Sequence, residues 1–104
     1  MRIYISGAIT GTEDFRERFL EAEKELIAAG HDTVNPARLN DIMPKDATHE
    51  EYMRMSFELL DICDAIYMLE GWESSKGANQ EYGFAKGKGI EIYGCIERCR
   101  NEIH

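Results

Sequence analysis

Glu81 stands in the stretch SSKGANQEYGFAKGKG, between Gly77 and Gly83. A carboxylate can attack an electrophilic carbon or move a proton. Each glycine weakens a helix by about 1 kcal/mol against alanine. Compensation of the helix dipole also favours a carboxylate near a helix start, but it needs no glycine on either side. A ligand held close against the helix does. A second glycine-bounded stretch, SGAITGT, follows the apolar run RIYIS. Gly7 and Gly11 would let backbone approach a ligand, and amides at a helix start can hold a phosphate. GAITG is neither a Walker A loop nor a dinucleotide fingerprint, so a tight strand-to-helix turn accounts for it equally well. Trp72, beside Gly71, offers either a surface for stacking on a base or a cover for the edge of the core.

These residues need elements to position them. RIYIS reads as a strand. EDFRERFLEAEKELIAAG reads as a helix, with Phe15, Phe19, Ala22, Leu26 and Ala29 at helical spacing. Thr12 is its expected N-cap, Glu13 and Asp14 suit its first turn, and Gly30 its end. HDTVNP is a short strand ended by Asn35-Pro36, and ARLNDIMPKDA has no period and reads as a loop. THEEYMRMSFELLDIC is a second long helix, with a Thr48/Glu51 capping box and a stripe of Tyr52, Met55, Leu59 and Ile62. DAIYML is a buried strand, ANQEYGFAKGKG a short helix, IEIYG a fourth strand and CIERCRNEIH a closing helix.

Strands alternating with helices imply a parallel sheet with right-handed crossovers. The expected fold is a small doubly wound α/β sandwich, flavodoxin- or Rossmann-like. Its sheet has four strands, at most five, in the order 2-1-3-4. A ligand site then lies at the carboxyl ends of the strands, where the order reverses between strands 1 and 3. That rule brings SGAITGT and EGWESSKGANQE together and aims Glu81, expected in the first turn of its helix, at the site. Asp64 begins strand 3 at the opposite end and reads as structural, while His31 and His49 read as surface residues.

The chain has 104 residues, enough for a single domain over 1–104, and 43% are hydrophobic. No apolar run approaches the ~18 residues of a membrane span. MRIYISGAIT is too short, and after Ile5 too polar, for a secretory leader, so a cytoplasmic protein is expected. A net charge of −8 argues against nucleic-acid polymers as partners but not against a small phosphate-bearing ligand. Cys63, Cys95 and Cys99 read as free thiols. Cys95 and Cys99 share a helical face, with His104 alone nearby, so no metal site and no cofactor are expected.

The segments IYISGAITG and SKGANQEYGFA together resemble the nucleoside 2-deoxyribosyltransferase superfamily, which includes nucleoside-monophosphate N-glycosidases. Short bacterial and phage domains of that superfamily are the nearest in kind. The resemblance runs from Arg2 to about Ile92. Its specific part is S-x-G-x-x-x-E-x-G-x-A, met by Ser75, Gly77, Glu81, Gly83 and Ala85. The resemblance implies that Glu81 is a nucleophile that attacks the anomeric carbon, expels the base and forms a glycosyl ester, which a second base or water resolves. It places Tyr4 near the nucleophile and the Gly7, Ala8, Ile9, Gly11 loop around the sugar or a 5′-phosphate. Ser75 and Gly77 join Trp72 as further candidates for substrate binding. Ser75 fits the monophosphate glycosidases, since the transferases tend to carry aspartate there.

One departure stands out. Many members carry an aspartate eight residues before the position of Asp64, where it helps protonate the leaving base; here that residue is Ser56. Serine is a poor general acid at neutral pH. Asp41, Asp46, Glu50 and Glu51 are candidate substitutes. The expected function is cleavage or transfer at the N-glycosidic bond of a nucleoside or nucleoside 5′-monophosphate, and the alternative is a nucleotide-binding module without turnover. A homodimer or higher homo-oligomer is expected too, because Tyr52, Met53, Met55, Phe57, Leu59 and Leu60 occupy more than one face of the second long helix. The resemblance adds that a neighbouring subunit completes the site.

Overall fold

The computed structural model describes residues 1–9 and 13–94. Four parallel strands, β1 (Arg2–Ser6), β2 (Asp32–Val34), β3 (Ala65–Met68) and β4 (Glu91–Gly94), form one sheet in the order β2-β1-β3-β4. Four helices flank it: α1 (Phe15–Ala28), α2 (Leu39–Ile42), α3 (His49–Asp61) and α4 (Lys76–Lys88). Strand alternation divides the core. Tyr4, Ile66 and Met68 face a cluster that holds Leu60 of α3 with Ala78 and Ala85 of α4. Ile5 faces Phe19 and Ala22 of α1 on the other side. The sheet is thus doubly wound and four-stranded.

Several elements differ from their expected form. α1 begins at Phe15, with Asp14 at the N-cap and no side-chain cap. Glu13 and Asp14 therefore precede the helix, Glu17 is the acid of its first turn, and Thr12 lies outside the described residues. Gly30, at φ 94°, ends the helix as expected, because an L side chain resists that conformation. The stretch expected as loop after Asn35 contains a 3₁₀ turn at Pro36–Arg38 followed by α2. Asn35 caps the turn by accepting from the Ala37 amide. Elements of three and four residues are too short to show a period, so local capping rather than patterning forms them. The Arg38 guanidinium also grips the buried Glu23 carboxylate of α1 with two bonds, 2.8 and 2.9 Å long. That grip holds the turn against α1.

α3 has the expected capping box. Thr48 Oγ1 accepts from the Glu51 amide at 3.1 Å, and Glu51 accepts from the Thr48 amide at 2.7 Å. Its buried face is rotated from the expected stripe, however. Met53, Ser56 and Leu60 point inward, whereas Met55 and Ile62 are 42% and 56% exposed. Both stripes have helical spacing. A serine in the buried one hid it from a reading that followed apolar residues alone. Phe57 stacks on Phe84 of α4 at 4.8 Å, so part of the apparent apolar excess is used within the chain. Asp64 is structural, as expected: its Oδ2 accepts from the Arg2 amide at 2.8 Å at the amino end of the sheet. The expected C-terminal helix, with Cys95, Cys99 and His104, lies outside the described residues.

Gly7 leaves β1 against Leu69, where an added Cβ would lie 3.0 Å from both Cβ and Cδ1 of Leu69. A methyl group there requires the Leu69 side chain, on the loop after β3, to give way by a few tenths of an ångström. Gly7→Ala should cost about 1–3 kcal/mol in urea unfolding. Because the contact is shared, the pair with Leu69→Ala should cost less than the two single changes added together.

Candidate functional site

β1 supplies the floor of the site. Tyr4 and Ser6 are two apart, so both project to the α3/α4 face of the sheet. Both are fully buried there. α4 crosses above them. Ser75 is its N-cap, accepting from the Ala78 amide at 3.2 Å, and the helix starts at Lys76. Glu81 therefore sits in the second turn rather than the first, beyond the reach of simple dipole compensation.

The Glu81 carboxylate is held at both oxygens. Tyr4 donates its phenolic proton to Oε2, and Ser6 donates to Oε1 at 2.7 Å. The side chain is only 7% exposed. Burial pushes its pKa up to about 7, against the partial relief given by Ser6, Tyr4 and Ser56. Burial, and then the neighbouring Glu81 charge, push Tyr4 well above its ordinary value. Tyr4 is therefore a proton donor to the carboxylate and not a base.

Glu81 lines a cavity of about 300 Å³. Gly7, Ile9, Ser75 and Gly77 line it too, so the two glycine-rich loops meet as expected. The opposite wall comes from Pro36, Leu39 and Asn40, with Tyr52, Met53 and Ser56 of α3. Ala8 is buried beside the cavity but does not line it. Gly11 lies outside the described residues. Trp72 is a correction: its indole is 1% exposed, stacks on Tyr82 in the core and does not line the cavity. It serves as core cover, the other role open to it.

The glycines around Glu81 have separate roles. A Cβ on Gly77 would meet Met53 Sδ at 3.4 Å and His49 Cε1 at 3.7 Å, so this glycine keeps α4 close to α3 at the cavity. Gly83 is exposed and a Cβ there would meet nothing within 4 Å, so access to the carboxylate does not explain it. Ser6 was absent from the expected site, although its place two residues after Tyr4 on a strand is a readable signal. His49 is at the surface, as expected, yet it also lines the cavity. Asn40 and Tyr52 join the site through tertiary packing, with the Tyr52 hydroxyl donating to Asn40 Oδ1 at 3.1 Å. Among the described residues, no group of three His, Cys, Asp or Glu side chains could hold a metal ion. None of the described helices is long and apolar enough to cross a membrane.

One family model, for a domain of unknown function (DUF4406), matches residues 1–93. The chain belongs to the DUF4406 family. No curated protein and no solved structure matches it. The span matched to DUF4406 includes β1 to β3, all of β4 but Gly94, both loops at the carboxyl end of the sheet and every residue named above as lining the cavity. The site is therefore built wholly from the DUF4406 domain.

The buried carboxylate makes stability depend on pH. Its pKa is about 7 in the folded chain against an ordinary 4.5, so between these values the folded state binds more protons than the unfolded state. The stabilisation from the protonated form is complete below about 4.5 and is lost as pH rises through about 7. The full difference is on the order of 3 kcal/mol. Glu81→Gln keeps the shape and cannot ionise. Urea unfolding should find this variant more stable than wild type at pH 8, with the advantage gone at pH 5.

Proposed function

We propose that the chain cleaves or transfers the N-glycosidic bond of a nucleoside or nucleoside 5′-monophosphate, with Glu81 as the nucleophile. The observation that carries this reading is a single carboxylate lining a cavity while both its oxygens are anchored from the sheet side. Tyr4 and Ser6 fix the carboxylate without occupying the cavity, which leaves it to meet an electrophile there. A cavity of about 300 Å³ is at the small end for ligand sites and suits a ligand of nucleoside size. The resemblance of SKGANQEYGFA to the nucleoside 2-deoxyribosyltransferase superfamily supports the same choice of nucleophile. In this mechanism the glycosyl ester forms on Glu81 as the base departs. The hydrogen bonds from Tyr4 and Ser6 then help the carboxylate leave when the ester is resolved.

A second reading, a nucleotide-binding module without turnover, is favoured by one residue. Ser56 lines the cavity and faces the carboxylate, where a hydroxyl cannot protonate a leaving base. A panel of nucleosides and 5′-monophosphates, read by chromatography for free base, separates the two. On the enzyme reading, wild type releases base and Glu81→Gln, though folded, loses that release. Ligand-dependent thermal shifts without base release would establish the binding module instead.

Within the panel, monophosphates should bind more than tenfold more tightly than nucleosides. Ser75 supports this expectation. Its oxygen accepts from the Ala78 amide, and its proton remains to donate to a phosphate beside the first turn of α4. One charge-assisted bond contributes about 1.5–3 kcal/mol, enough for that ratio. Equal affinities would remove the phosphate branch and favour the transferase.

The same reading takes the chain as a homo-oligomer with a site completed by a neighbouring subunit. What supports an interface is the exposure of Met55 and Ile62 at α3 and its C-terminal cap. Light scattering at micromolar concentration should give at least twice the 11.9 kDa chain mass. The monomer mass across dilutions would remove the interface.

A further inference from the structure

We infer that His49 is the proton donor to the leaving base, taking the role that Ser56 cannot fill. This rests on the reading of Glu81 as nucleophile. Expulsion of a base as an anion is slow, so a nucleophile working alone needs an acid on the far side of the bond. The four acids weighed on sequence do not line the cavity. Asp41 is paired with Arg16 at 2.8 Å, and Glu51 is bound to the Thr48 amide in the capping box. Glu50 lines an adjoining groove that shares His49 and Met53 with the cavity, and does not line the cavity itself. Besides Glu81, the cavity is lined by two side chains with an exchangeable proton on a titratable group, His49 and Tyr52. The Tyr52 proton is already given to Asn40.

His49 is placed for the role. It begins α3, and its Nε2 lies 2.8 Å from Gln80 Oε1 on α4. The amide oxygen of Gln80 only accepts, so Nε2 carries a proton and Nδ1 becomes the nitrogen that gains and loses the mobile one. Gly77, against which Cε1 rests, stands four residues before Glu81 on α4. That is about one turn, or about 6 Å of rise. The imidazole and the carboxylate thus lie on one side of α4, a turn apart, and both line the cavity.

The steps balance. A Glu81 oxygen bonds to the anomeric carbon while the carbon–nitrogen bond breaks. Its electron pair stays on the base, which takes the Nδ1 proton and leaves neutral. Neutral His49 then removes a proton from water, or from an incoming base, as that nucleophile attacks the same carbon. The ester bond breaks, its electrons return to the Glu81 carboxylate, and His49 is again protonated.

A leaving group that departs readily as an anion needs no acid. His49→Gln keeps a polar side chain and removes the transferable proton. It should be compared with wild type on two substrates: the best nucleoside or monophosphate of the panel, and the 4-nitrophenyl glycoside of the same sugar. The kcat/KM on the natural base should fall by about 100-fold or more, while kcat/KM on the nitrophenyl glycoside, which reports formation of the ester and not its resolution, stays within about threefold. Equal losses on both substrates, or no loss on either, overturn the assignment and leave Glu81 as nucleophile intact. If wild type releases neither base nor nitrophenol, the reading of Glu81 falls and the assignment with it. Circular dichroism of the variant separates lost chemistry from lost fold.

Discussion

A carboxylate removed from water governs the architecture. Burying an ionised acid without partners costs several kcal/mol, and the chain meets that cost from two directions. Tyr4 and Ser6 supply hydrogen bonds from β1, and the raised pKa lets Glu81 take up a proton near neutrality. Both donors come from the strand at the centre of the fold, flanked by β2 and β3. Tyr4 is fixed by ladder pairs on both sides, in register with Val34 and Ile66, and Ser6 by its pair with Met68 on β3. The polar group is costly to bury, and the most constrained strand of the sheet holds it.

The helices share the work unequally. α4 brings the carboxylate, but α3 forms the wall that encloses it. The two helices touch through the Phe57–Phe84 stack and the bond between His49 and Gln80. The third wall depends on the Arg38–Glu23 pair, which secures the 3₁₀ turn ahead of Leu39 and Asn40. Thus three separate tertiary contacts surround the cavity, and two of them, through Gln80 and Phe84, hold the glycine-rich stretch around Glu81 against α3.

Most of the fold was legible in the sequence because its signals are local and repeated. Alternation of strands and helices, the Thr48/Glu51 box and Gly30 all marked real boundaries. The strand order and the meeting of the two carboxyl-end loops followed from topology alone. The site was less legible. Glu81, Gly7, Ile9, Ser75 and Gly77 were readable from glycine spacing and resemblance, but Asn40, Tyr52 and His49 reach the cavity only through packing between segments distant in sequence. Trp72 was misleading because a tryptophan beside a loop glycine has the same local signature whether it faces a ligand or the core. The buried stripe of α3 was missed because it contains Ser56, a polar residue that burial explains only once the carboxylate is in view.

The three glycines of α4 have a consequence for motion. Gly77, Gly83 and Gly87 together weaken this thirteen-residue helix by about 3 kcal/mol relative to alanines. Short helices are marginal in water even without such residues. α4 therefore owes its existence to what lies beneath it: the buried Ala78 and Ala85, the carboxylate bonds and the neighbouring α3. When those contacts loosen, the helix has little reason to persist by itself. Exchange of its amides with solvent then reports on the occupancy of the cavity, since anything that fills the space between α3 and α4 ties down the element least able to hold its own shape.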